Sequence, residues 1–238
     1  MPEALTLSEI KSKVLEHPVP ILFPDTCSLL DLIRIPFREK DSRQAVRQLQ
    51  AAQIIHENIA QKNVWVILPS LIKNEWHDNE PSTSEELGNH LTKIDRLNSI
   101  VIDILEFFNN PLPCTMKFAD KNIEQMLRDI SKSLLDKSIA IQSDPECEKK
   151  AYSRVIGNKP PATKGGQLKD CTIIEHIFEL TKLLDLEEFE KPRVFLSSNT
   201  NDYCINRTIL KPELATEFES CKLSFSNSWE WANNQLSC

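Results

Sequence analysis

Four short apolar runs, residues 21–23, 64–68, 194–196 and 223–225, stand between longer stretches with apolar residues every third or fourth position. Continuous apolar runs of this length predict buried strands, and the intervening periodicity predicts amphipathic helices. Thr6 and Glu9 have capping-box spacing ahead of Leu7, Ile10, Val14 and Leu15, so a first helix is expected to end before Pro18. After the first run, Leu29, Leu30, Leu32 and Ile33 predict a helix that breaks near Pro36. Ala45, Val46, Leu49, Ala52, Ile55 and Ile59 predict another over residues 41–61. Ser70 reads as the cap of a helix that begins after Pro69. No strand pattern shows between residues 81 and 148. There Leu87, Leu91, Ile94, Leu97, Val101, Ile104 and Leu105 predict a long helix closing near Asn109, and further helix is expected over 118–139. Residues 173–184 and 228–235 complete the helical set. Strands alternating with helices mean an α/β fold with a mostly parallel sheet. The expected organisation is a single domain over residues 1–238, with a helical insertion at about 81–148.

Acids recur at the ends of these elements. Asp25 follows the first run and Pro24 at once. It reads either as a helix N-cap or as an acid at the carboxyl end of a strand, where open α/β sheets place their ligands. Glu75 lies about a turn into the helix after the second run, and Asp202 lies in the polar turn 197–203 after the third. Asp170 begins a helix after an unusual stretch, residues 149–169. That stretch carries Lys149, Lys150, Arg154, Lys159, Lys164 and Lys169, no acid, three of the four glycines and the pair Pro160-Pro161. It reads as a basic, flexible loop that attracts anions. Four converging carboxylates would repel one another, and a hard divalent cation with oxygen ligands, Mg²⁺ or Mn²⁺, is what reconciles them.

The formal charge of −7 argues against a protein that coats nucleic acid indiscriminately. No run reaches the roughly 18 apolar residues of a membrane span, and the acidic N-terminus lacks an export pattern, so a cytoplasmic chain with no membrane contact is expected. Seven cysteines without a Cys-x-x-Cys pair read as free thiols, and the scattered histidines give no zinc spacing. Arg34, Arg38, Lys40, Arg43 and Arg47 form a solvated face or a phosphate-contacting one. His77 is expected at the surface, and Trp65, Trp76, Trp229 and Trp231 in the core.

Four segments, residues 21–26, 69–75, 169–175 and 197–203, resemble in order the four acidic signatures of PIN-domain nucleases. Arg154, Gly157 and Pro160-Pro161 further resemble a bacterial PIN-like branch with a longer helical middle. The resemblance implies a Rossmann-like α/β/α sandwich that hydrolyses phosphodiester bonds, usually of RNA, with Mg²⁺ or Mn²⁺. DNA stays open as a substrate, as do a homodimer and an antitoxin or regulator as partner. Carried over, Asp25, Glu75 and Asp170 are the main metal ligands and Asp202 the fourth, directly or through water. Thr26 supports the site by a hydrogen bond. Many members carry two acids after the third strand, whereas Thr200 stands here in place of the first, and Asn199 takes part of that role. Glu175 orients Lys169, touches a second ion or simply faces solvent. Arg154, Lys159, Lys164 and Lys169 are the expected nucleic-acid contacts. A catalytically silent binding module is the alternative that the missing acid suggests.

Overall fold

The computed structural model describes residues 4–110, 117–162 and 167–237. Its five described strands, β1 (Ile21–Pro24), β2 (Trp65–Pro69), β3 (Ile139–Ile141), β4 (Arg193–Leu196) and β5 (Ser224–Ser226), form one sheet in the order β3-β2-β1-β4-β5. Every pairing is parallel. Ile21, Leu22 and Phe23 at the centre are fully buried, as a strand covered on both faces demands.

The helices follow from the chain direction. α1 (Leu7–Glu16) has the expected capping box between Thr6 and Glu9. α2 (Thr26–Arg38), α3 (Ser42–Ala60), α4 (Ser70–Phe107) and α5 (Ile123–Lys137) occupy the crossovers from β1 through β2 to β3. α6 (Pro145–Ile156) and α7 (Leu168–Asp185) carry the chain back past β1 to β4. The short α8 (Thr200–Tyr203) and α9 (Pro212–Ser220) lead to β5, and α10 (Trp229–Leu236) ends the chain. Right-handed crossovers running in opposite directions along the sheet place α2–α5 on one face and α6, α7 and α9 on the other. α10 returns to the first face against α3. The result is the α/β/α arrangement expected. Core residues from Leu7 to Leu236 belong to one continuous cluster, each large aliphatic or aromatic side chain contributing about 1.5–3 kcal/mol by leaving water.

Two local expectations fail, at β3 and at Ser70. β3 lies where no strand was expected, because the helical pattern expected over 118–139 runs into Ile139-Ala140-Ile141 with no Pro or Gly to separate them. Leu5 completes this edge: its N–H donates to Ala140 O (2.9 Å) and its carbonyl accepts from Gln142 N (2.7 Å). Pro81 lies inside the 38-residue α4. Just after it, the hydroxyls of Ser82 and Thr83 both donate to Asn79 O (2.9 Å each). Pro36 lies inside α2, which ends two residues later at Arg38, close to the expected break. Ser70 is the first residue of α4 rather than its cap; Pro69 holds the cap position and no side chain closes it. The breaks at Pro111 and Pro113 lie outside the described residues.

The middle of the chain is tied to the sheet layer through α2. Ser131 of α5, fully buried, accepts from Trp76 Nε1 (2.9 Å) and donates to Leu29 O (2.7 Å). One hydroxyl thus joins α4, α5 and α2. Ser131→Ala leaves the buried indole N–H without a partner and is expected to cost about 1–3 kcal/mol in urea unfolding. A variant as stable as the wild type would show that this junction contributes nothing.

Candidate active site

The order β3-β2-β1-β4-β5 reverses direction between β1 and β4, and at such a switch point the loops leaving the two strands part and open a crevice. Asp25 stands at the end of β1 in that crevice, and Ser197 at the end of β4. Ser197 Oγ donates to Asp25 Oδ2 (2.8 Å), while Asp25 Oδ1 accepts from Thr26 N (2.7 Å). Asp25 is therefore the N-cap of α2 and a crevice residue at once.

Glu75 reaches the same place from the first turns of α4. Thr26 Oγ1 donates to Glu75 Oε2 (2.6 Å), and Lys169 Nζ lies 3.3 Å from Glu75 Oε1. On the far side, Asp202 Oδ2 accepts from Asn199 Nδ2 (2.6 Å) and Oδ1 accepts from Gln167 Nε2. Asn199 N donates to Ser197 Oγ (3.2 Å), so hydrogen bonds run without a gap from Asp202 through Asn199, Ser197, Asp25 and Thr26 to Glu75. Asp170, the third residue of α7, joins this set through charge. Burial and then repulsion from Asp25, Asp202 and Glu75 push its pKa up to about 7. Asp25, 2% exposed, is pushed up to about 6 by burial, with Glu75 and Asp31 adding repulsion against the hydrogen bonds from Ser197 and Thr26.

All four acids expected from the sequence thus share one electrostatic neighbourhood, with Thr26 and Asn199 bonded within it. The donor set fits a hard divalent cation in kind, being all oxygen and short of positive charge. Among the described residues no three His, Cys, Asp or Glu side chains are grouped closely enough to hold one ion; Asp25, Glu75 and Asp202 each accept hydrogen bonds. Cys27 is no rival nucleophile: burial, then Asp25, holds its thiol protonated.

Two expected residues lie elsewhere. Arg154 sits in α6, not in a loop, and is buried. Its guanidinium donates to Glu175 Oε1 (2.8 Å), Pro160 O (2.6 Å) and both carboxylate oxygens of Glu217 (2.9 and 2.8 Å). It is thereby withdrawn from any nucleic-acid surface. Glu175, the buried partner of this ion pair, neither orients Lys169 nor faces solvent. Lys159 and Lys169 are exposed, and Lys164 lies outside the described residues. Lys150, also in α6, is bound to Glu179 (2.6 Å). His77 is exposed as expected; Trp231 is exposed too, against expectation.

Sequence reasoning missed Ser197 and Gln167. The signal for Ser197 was its place, a hydroxyl directly after a buried strand at the sheet's switch point. Gln167 carried none, since its role depends on how the chain enters α7.

A family model described as PIN domain matches residues 22–203, and the chain belongs to that family. Neither the search of curated proteins nor that of solved structures returned a match. PIN domains are generally nucleases and typically use divalent metals, so the family carries a nuclease-type fold to this chain.

Two outcomes follow. Arg154→Met strands Glu175 in the interior and is expected to cost about 3–5 kcal/mol in denaturant unfolding, the scale of a broken buried pair. Asp25 and Asp170 hold protons more tightly folded than unfolded, so the ion-free protein should lose stability as pH rises from about 4 through 6–7. Below pH 4 that loss is absent. Asp170→Asn in a chelator should therefore raise Tm by about 2–6 °C at pH 8 and leave it unchanged at pH 4. An equal effect at both values would refute the repulsion.

Proposed function

We propose that this PIN domain is a divalent-metal-dependent endonuclease acting on phosphodiester bonds, with RNA as substrate. What carries the reading is the convergence of Asp25, Glu75, Asp170 and Asp202 at the switch point, where burial and then repulsion raise the pKa of Asp170. Asp25, Glu75 and Asp170 would hold Mg²⁺ or Mn²⁺, with Asp202 completing the set directly or through water. The ion supplies charge neutralisation at the phosphate and lowers the pKa of water. The chain's own groups do the positioning. Thr26 fixes the Glu75 carboxylate and Ser197 fixes that of Asp25, so neither acid swings freely in the crevice. Lys169, exposed beside Glu75, exchanges its carboxylate partner for a substrate phosphate, and Lys159 extends the positive surface.

Asp25→Asn keeps the shape of the side chain and removes its charge. It is expected to lower RNA cleavage by about 10²–10³-fold or more, with the folded circular dichroism spectrum retained. Full activity in a preparation free of contaminating nuclease would refute the assignment.

A second reading, a silent binding module, draws on Asp202, whose two oxygens are both occupied by Gln167 and Asn199, and on Thr200 in place of an acid. Calorimetric titration with Mn²⁺ separates the two. Proton release on binding in wild type, lost in Asp25→Asn, supports the enzyme; no heat supports the module.

A further inference from the structure

The C-terminal half of α4 carries an apolar face with no cover among the described residues. Leu97 is 62% exposed, Phe107 80% and Phe108 70%, and Ile100, Val101 and Ile104 are each about half exposed. At 100° per residue these six side chains fall within an arc of about 120°. The opposite side of the helix is engaged: Asp95 accepts from Phe118 N (2.8 Å) and Ala119 N (3.0 Å). An uncovered row of large aliphatic and aromatic side chains at spacings of three and four has the form of one half of a helix–helix seam.

The charges along its edge say what fits. Arg96 and Asp103 lie seven residues apart on the same flank of the row, and neither makes an ion pair or hydrogen bond among the described residues. A parallel neighbour of the same sequence would set this charged flank against the opposite one, which carries Asn98 and Leu105 and offers neither charge a partner. An antiparallel copy centred between Ile100 and Val101 sets Leu97 of each chain over Ile104 of the other. It also brings the Arg96 of each chain to the Asp103 edge of the other, twice by symmetry. Lys93, a turn before Leu97, then lies toward the aromatic pair Phe107 and Phe108 of the second chain, where a cation is favoured.

We infer that this half of α4 is a self-association surface, on which two copies of the chain pair as antiparallel helices. The inference does not depend on the nuclease reading. Sedimentation or light scattering of the full chain is expected to show a species of twice 27.3 kDa at micromolar concentration. Leu97→Glu with Ile104→Glu should return the chain to 27.3 kDa with its folded circular dichroism spectrum retained, because both side chains face solvent in the single chain. Arg96→Asp and Asp103→Arg, each alone, should weaken association about tenfold or more. Mixed in equal amounts the two single variants should pair with each other, since both cross-contacts are then complementary. A monomeric wild type would overturn the inference. So would a dimer that survives the double glutamate change, or single variants whose mixture associates no better than either alone.

Discussion

The site depends on one unfavourable interaction, the mutual repulsion of carboxylates gathered from distant parts of the chain. Asp25, Glu75, Asp170 and Asp202 come from four different elements, and nothing in their local sequences requires them to meet. The sheet order makes them meet. β1 and β4 are neighbours whose chains leave in different directions, and the space between those departures is where an acid after either strand must stand. The hydrogen-bonded series from Asp202 to Glu75 offsets part of the cost, and Asp170, outside that series, is pushed up to about 7. A fold that keeps such a destabilising cluster marks it as a candidate functional site.

The second buried charge system works in the opposite sense. Around Arg154, two carboxylates and a backbone carbonyl surround one guanidinium, so charge there is compensated rather than left over. Its elements are α6, α7 and α9, all on the face away from α2–α5. By binding Glu175 of α7 to Glu217 of α9, Arg154 fixes the helix whose first turn carries Asp170. A residue that resembles a nucleic-acid contact in sequence thus acts as a brace behind the acid it precedes.

Much of this was legible in the sequence, and the rest fails for identifiable reasons. Asp25 and Glu75 are readable because each follows a strand whose apolar run is continuous and whose end is marked by proline. The α/β class is readable from the same alternation. β3 is not, because no Pro or Gly separates it from the helix that precedes it. Pro81 marks no boundary in the structure, because a helix with tertiary support continues through a proline. Arg154 misleads because its decisive partner, Glu217, lies 63 residues away and leaves no trace in local charge counts. Lysines are harder to bury than arginines, and Lys159 and Lys169 do remain outside.

α4 begins at one end in the acid cluster and finishes at the other in bare hydrophobic surface. At about 1.5 Å of rise per residue, Glu75 lies at most roughly 38 Å from the middle of the seam at Ile100 and Val101. Two chains joined there would hold their crevices at most roughly 75 Å apart, at opposite extremities of a continuous two-helix beam. Each crevice would then work out of reach of its twin, and a short oligonucleotide would engage one at a time. Only a long strand, looping back along the beam, could occupy both.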